Sequence, residues 1–434
     1  MKDFEKIIGY EAIKQELIQI SDVLANSEAY QKLGVESPHG LLLYGSPGVG
    51  KTLMSYAVIA ASGRKAFVCR KDKPNGDFVK AIKETFAAAK AAAPSIVFLD
   101  DMEKFANGDD RHPHAEEYVT VQSCIDDSKG QEVFVLATAN KLQSLPRSLL
   151  RAGRFDRMIK VHNPRGEDAV KIIDHYIKKK KCMADMDATV IARMMDGRSC
   201  AALETVINEA GLYAGFERSN VITMDHFMKA CLHTVYDIPS AVLNGPVPKT
   251  DLTNGNDQRV RIVYHEAGHA TVAEVLNPGS VALVTAYNDA GHSGGFTSYC
   301  CDHERSTTQD MFRQICASLG GMAALDQQYG MADAGVGQDL DHAFSLVSGL
   351  VGDACIRGFG FYVSECGDSQ SRKSRREQAV AVEMERWYRK TKEILSANRD
   401  LFEAIAAELS QKGVLTTADI DRIKQRCRIT PVAI

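Results

Sequence analysis

Residues 40–61 limit the fold more tightly than any other stretch of the chain. Gly40-Leu-Leu-Leu-Tyr44 is a short apolar run with the character of a buried strand. Gly45-Ser-Pro-Gly-Val-Gly50-Lys51-Thr52 follows it, and residues 53–61 then read as a helix. A GxxxxGK[ST] loop between a strand and a helix is a phosphate cradle. Its glycines let backbone N–H groups curl around an anion, Lys51 reaches the β- and γ-phosphates, and Thr52 meets Mg²⁺. The expected nucleotide contacts are Gly45, Ser46, Pro47, Gly48, Val49, Gly50, Lys51, Thr52 and a carboxylate, Asp100.

That carboxylate ends a second buried run, Ser95-Ile-Val-Phe-Leu-Asp100-Asp101. In a nucleotide site Asp100 would hold Mg²⁺ through water and Asp101 would orient the attacking water. Glu132-Val-Phe-Val-Leu-Ala-Thr-Ala-Asn140 is a third such strand, and its terminal amide is placed to contact the γ-phosphate or the water. Strands alternating with helices give a parallel sheet covered on both faces. Leu145-Pro-Arg-Ser-Leu-Leu-Arg151-Ala-Gly-Arg154-Phe-Asp-Arg157 then packs four arginines into thirteen residues. A charge run is usually a solvated face, but this spacing also suits guanidiniums offered to a neighbouring subunit's γ-phosphate. Residues 166–236 carry helical patterning and no strand signal, so they read as a small helical lid.

The second half turns on His265-Glu-Ala-Gly-His269. Histidines four apart share one helix face, so two neutral imidazoles can grip one Zn²⁺, and Glu266 can reach a water on it. Residues 260–276 contain no proline, and Pro278 follows them, as a helix requires. Residues 281–300 alternate apolar with small and polar side chains and read as strands. There Gly294-Gly295-Phe-Thr fits either an ordinary hairpin or an edge able to pair with an extended substrate. Residues 308–327 read as one helix whose Leu319-Gly320-Gly321 suits close helix packing. Gly335-Val-Gly337-Gln-Asp339-Leu340 opens another helix, where an N-cap reading of Asp339 is plausible by itself. Asp341, His292, His303 and His342 are further groups able to ligate. The charged stretch at residues 376–412 is helical, with Trp387, Tyr388 and Leu395 on its buried face.

The chain's 434 residues accommodate about two to four domains. A net charge of −4 and an isoelectric point near 6.3 give no electrostatic reason to expect nucleic acid or an anionic membrane. Eleven scattered cysteines without a CxxC pair fit free thiols in a reducing compartment, hence a cytoplasmic location. No apolar run approaches the ~20 residues of a spanning helix. The start of the chain, with Lys2, Asp3, Glu5 and Lys6, is too charged for a signal peptide.

GSPGVGKT, IVFLDD, LATAN, LLRAGRFDR and HEAGH, in that order, resemble the AAA+ ATPases and, more narrowly, the FtsH family of ATP-dependent zinc metalloproteases. The resemblance runs from about Phe4 to the C-terminus. It implies an α/β P-loop ATPase domain (residues 1–165) with a helical lid (166–237), a linker (238–257) rich in Pro, Gly and Asn, and a mainly α-helical zinc peptidase domain (258–434). It makes Asp339 the third zinc ligand beside His265 and His269, Glu266 the general base, Asn140 a sensor, and Arg151 and Arg154 fingers acting in trans. Zn²⁺, ATP and Mg²⁺ are the implied cofactors, protein chains the substrates, and a homo-oligomeric, hexameric ring the assembly.

The sequence departs from the family pattern in several places. Asp101 stands where a glutamate is usual, one methylene short, so slow ATP hydrolysis is expected. The family's aromatic-Val-Gly pore loop is replaced by Lys71-Asp-Lys-Pro-Asn-Gly-Asp77-Phe78, where Phe78 is the nearest aromatic. Gly197-Arg198-Ser-Cys-Ala-Ala replaces the usual second-sensor pattern. The family's N-terminal membrane segment is not within these residues, so membrane contact needs a tether outside them. The leading expectation is an ATP-driven zinc endopeptidase; the alternative is an ATP-regulated remodelling or binding module with slow hydrolysis.

Overall fold

The computed structural model describes residues 2–71, 78–105, 115–151, 153–182, 186–245, 249–255, 257–287, 294–300, 307–331, 334–363 and 369–434. They divide into two units, Met1–Lys179 with Gly197–Thr205, and Lys180–Asp196 with Val206–Ile434. Among them no helix is long and apolar enough to cross a membrane, and the nine described cysteines are free thiols.

The first unit is built on a parallel sheet of β1 (Gly40–Tyr44), β2 (Lys65–Arg70), β3 (Ser95–Asp100), β4 (Val133–Ala139) and β5 (Arg157–Lys160), in the order β2-β3-β4-β1-β5. The three central strands are apolar almost throughout because helices cover both faces, and nearly every residue in them is buried. The two edge strands escaped the sequence reading. Lys65-Ala-Phe-Val-Cys-Arg and Arg157-Met-Ile-Lys each bury one residue only. Leu42, Val97, Leu99, Val135 and Ala137 meet Phe86, Phe105 and Phe155 in the core. Parallel register aligns the C-terminal ends of β1, β3 and β4 along one edge of the sheet. The phosphate loop, Asp100 and Asn140 therefore share that edge.

Residues 166–236 are helical, as expected, in Gly166–Lys178, Ala188–Met194, Cys200–Phe216 and Met224–Tyr236.

In the second unit the helix Gln258–Leu276 runs through the core. Asp257 caps it by accepting the N–H of Arg259 at 2.9 Å. Val260, Val263, Ala267, Ala270 and Val272 are buried against Ile315, Leu319, Ala323, Ile405 and Leu409, so this helix has little solvent face. Its buried Glu274 takes the N–H groups of Gly279 and Val281, each at 2.9 Å, and Lys424 Nζ at 2.6 Å. Those bonds pin the start of β6 (Val281–Thr285) to the helix. Beside it lie β7 (Phe296–Tyr299) and β8 (Val414–Thr416) in an antiparallel sheet ordered β7-β6-β8, with β7 on an edge.

The single helix expected over residues 308–327 is two, Thr308–Ser318 and Gly320–Tyr329, interrupted at Leu319. The chain turns there to bring Gly320 against the central helix: a Cβ at Gly320 would lie 2.8 Å from the Gly268 carbonyl oxygen. The charged C-terminal stretch is also two helices, Gln370–Ala397 and Arg399–Lys412, and it buries Trp387 and Leu395.

Candidate nucleotide and metal sites

Gly48 and Gly50 have φ of +76° and +98°, in the left-handed region that glycine enters without strain. They curl the loop ahead of the helix Lys51–Ser62, and Lys51 folds back over it. Its ammonium donates to the carbonyls of Gly45 (2.7 Å) and Ser46 (2.9 Å) and to Asn140 Oδ1 (2.8 Å). Burial lowers the Lys51 pKa, opposed by the charges of Glu103, Asp101 and Asp100, in that order. Asp100 Oδ1 accepts the hydroxyls of Thr52 (3.1 Å) and Thr138 (2.7 Å). Thr52 and Asp100, the two groups expected at Mg²⁺, are thus in direct contact, an arrangement that fits the ion. A cavity of about 720 Å³ opens over the loop. Val49, Thr52, Asp101 and Asn140 line it, and Ile7, Ile8, Tyr10 and Ile172 supply apolar lining.

Asp101 lines this cavity with φ +56°, and its carboxylate meets Lys104 Nζ at 2.9 Å and Arg70 at 3.9 Å. Arg151 is exposed. Arg154 is not: its guanidinium takes both oxygens of Asp126 at 3.1 and 2.6 Å. The Arg154 bonds hold the Asp126 carboxyl down at about 2, against a smaller opposing effect of burial. Phe78 packs its ring on Phe105 with centroids 5.1 Å apart, and residues 72–77 of the expected pore loop lie outside the described residues. One acidic group was missed. Glu103, two residues past Asp101, accepts the Asn140 backbone N–H at 3.1 Å and also its side-chain amide. The only sequence signal was another carboxylate just after β3.

At the second centre the i,i+4 spacing sets two imidazoles side by side. His265 and His269 bring their Nε2 atoms within 3.0 Å, and Asp339 Oδ2, from the first turn of the helix Gly337–Gly352, lies 3.1 and 3.2 Å from them. Among the described residues these three form the one cluster able to hold a metal ion. Asp341 and His342 are exposed and stand apart; His292 and His303 lie outside the described residues. The buried Nδ1–H of His269 donates to the Ala317 carbonyl at 2.7 Å, so once the ring gives up its other proton the Nε2 lone pair is the one left for a ligand bond. Two imidazoles and a carboxylate converging on one point are a zinc donor set.

Burial pulls the His269 pKa down, but its bond to Asp339 and the charges of Asp339 and Glu266 outweigh that and raise it to about 9. Burial pushes Asp339 up, and the two histidines outweigh it and hold its carboxyl well below the usual range. Glu266 is fully inside the protein, and burial raises its pKa. Two supports were not legible in the sequence. The Thr297 hydroxyl on β7 donates to Glu266 Oε2 at 2.8 Å. Gly321 leaves room for the His265 ring: a Cβ there would lie 2.4–2.6 Å from three of its atoms.

Residues 41–163 match the ATPase family associated with various cellular activities (AAA), and residues 253–423 match peptidase family M41. Fold and site thus define an AAA ATPase joined to a zinc-peptidase-like domain. The chain is 30% identical to the ATP-dependent zinc metalloprotease FtsH 2 of Symbiobacterium thermophilum over 97% of its own length and 74% of that protein's. It is 28% identical to the FtsH of Mycoplasma pneumoniae over 99% of its length and 63% of that protein's. Against the FtsH of Pelobacter propionicus the identity is 30%, over 97% and 70% of the two chains. The chain therefore belongs to the FtsH family of ATP-dependent zinc metalloproteases. It spans less than two thirds of the Mycoplasma protein and about three quarters of the Symbiobacterium one.

Proposed function

We propose that this chain is an ATP-driven zinc endopeptidase that works on unfolded or small protein substrates as a homo-oligomeric, hexameric ring. The observation that carries the reading is the convergence of His265, His269 and Asp339 on one point beside the buried carboxylate of Glu266. Zinc bound to those three groups would supply Lewis-acid polarisation of a water and of the scissile carbonyl. Glu266 takes the water's proton and passes it to the leaving amine. Thr297 holds Glu266 Oε2, so the carboxylate keeps one orientation through both transfers. β7 is an edge strand, and an extended peptide pairing with it would lie alongside Thr297 and Glu266.

At the other centre Lys51 binds the triphosphate, Thr52 and Asp100 hold Mg²⁺, and Asp101 and Asn140 address the attacking water. Arg151 is presented to a neighbouring subunit, and Arg154 joins it on release from Asp126. In this reading residues 1–165 and 166–237 are the large and lid parts of the motor, 238–257 the linker and 258–434 the peptidase, on the cytoplasmic side of any membrane the natural assembly touches. A second reading, an ATP-regulated remodelling module with slow hydrolysis, draws support from the ion pairs that occupy Asp101.

Casein digestion with and without ATP separates the two. The protease reading expects zinc-dependent cleavage that ATP accelerates and that Glu266→Gln abolishes while zinc stays bound. Cleavage by the Gln variant near the wild-type rate would remove Glu266 from its role. No cleavage by wild type loaded with zinc and ATP would favour the second reading.

A further inference from the structure

Asn140 follows β4 directly, and the turn Met102–Lys104 follows β3, its parallel neighbour. The register sets the two strand ends side by side, so Glu103 comes out of the turn facing Asn140. Its carboxylate takes both donors that Asn140 offers on that side, the backbone N–H through Oε2 at 3.1 Å and the side-chain amide through Oε1. The other end of the amide, Oδ1, accepts from Lys51 Nζ at 2.8 Å. An amide held between a carboxylate and an ammonium has one stable orientation. Flipping it would set oxygen against carboxylate and NH₂ against ammonium. Asp101 does not share this task, because its carboxylate is engaged by Lys104 and Arg70.

From this geometry we propose that Glu103 is a positioning residue of the nucleotide site, fixing Asn140 so that its amide oxygen faces the cavity as an acceptor for the attacking water. The proposal rests on the nucleotide-hydrolysing reading given above. In the structure Lys51 covers that oxygen. When Lys51 turns to the phosphates of a bound triphosphate, Oδ1 is the acceptor it uncovers, and the grip of Glu103 keeps it pointed the same way. A water that gives one hydrogen to Oδ1 has an oxygen lone pair directed elsewhere, which is what in-line attack requires. Burial depresses the Lys51 pKa, and among the carboxylates that oppose this Glu103 acts most strongly, so its charge belongs to the site.

The test is a double-mutant cycle of Glu103→Gln and Asn140→Ala in the full chain. It is read by steady-state MgATP hydrolysis, by binding of ADP and of a non-hydrolysable ATP analogue, and by thermal melting. Misplacing a water-orienting group by about 1 Å costs on the order of 100-fold in rate. Glu103→Gln is therefore expected to lower kcat roughly 10- to 100-fold, with both nucleotide affinities within about twofold of wild type. Adding it to Asn140→Ala should lower kcat no further, since the two act as one unit. Should Glu103→Gln melt far below wild type, Glu103→Asp, which keeps the charge one methylene back, takes its place in the cycle.

Multiplicative losses in the double variant, or unchanged kcat in Glu103→Gln, overturn the proposal while leaving the ATPase reading intact. A wild type that turns over no MgATP overturns both.

Discussion

Gly321→Ala adds one methyl group and puts it into the space that the His265 ring fills. The new Cβ would stand 2.4 Å from Cε1, 2.5 Å from Nδ1 and 2.6 Å from Nε2 of that ring. Non-bonded carbon contacts sit at roughly 3.5–4.0 Å, so the imidazole must withdraw by about 1 Å. Metal–ligand distances tolerate only about 0.2 Å, so His265 cannot clear the methyl and still meet zinc beside His269 and Asp339. Disturbing the groups that merely support a ligand lowers metal affinity about 10- to 100-fold. Displacing the ligand itself belongs at the upper end of that range, close to 100-fold, which corresponds to roughly 2.7 kcal/mol.

Stability should move the other way. Glycine to alanine in a helix interior gains up to about 1 kcal/mol, and the group that has to move is the end of a side chain, the His265 ring, and not backbone. The assay pairs zinc competition against a chromogenic chelator with melting of the metal-free protein. The expected result is weak zinc binding at an unchanged or slightly higher metal-free Tm. Full zinc affinity at one ion per chain would refute the argument. A fall of many degrees in the metal-free Tm would show that the backbone, and not the ring, had given way.

Other substitutions probe the two centres separately. Thr297→Val keeps the shape and removes the hydroxyl that holds Glu266 Oε2; zinc content should stay at one per chain while kcat for peptide cleavage falls about 10-fold, and an unchanged kcat would show that Thr297 does not orient the base. Asp101→Glu lengthens the arm that now pairs with Lys104 and should raise the steady-state ATPase rate with nucleotide affinity unchanged; a slower variant would mean the aspartate already reaches its water. Lys51→Ala should abolish nucleotide binding and leave zinc content intact, as isothermal titration and metal analysis would register; nucleotide bound with wild-type affinity would contradict the role given to Lys51.

What could be read from the sequence divides along physical lines. β1, β3 and β4 were legible because burial on both faces makes them continuous apolar runs. β2 and β5 were not, since short edge strands mix exposed and buried residues, and β5 begins inside an arginine-rich segment. The histidine pair and the glycine-rich loop are local patterns, fixed by helical pitch and by glycine conformation. Every support found around them spans the fold: Thr297 is 31 residues from Glu266, and Glu103 is 37 from Asn140. No spacing rule encodes such pairs. Arg154 shows the reverse case. A guanidinium that reads as exposed in the sequence is held by Asp126, 28 residues away, and only the packed chain reveals it.

The interruption at Leu319 has its own consequence. Ala317 is the penultimate residue of the helix that stops there, and the last carbonyls of a helix lack partners further along it. One of these receives the Nδ1 proton of His269. The tautomer of a histidine in the candidate metal cluster is thereby set by main chain, which no side-chain replacement at position 317 deletes. Its vulnerability lies instead in continuity. A substitution that let the two helices fuse would bring a helical N–H to the same Ala317 carbonyl, so the imidazole would then share its acceptor. Substitutions at residues 319–321 therefore act on this centre through the main chain at Ala317 as well as through the space that Gly321 leaves for the His265 ring.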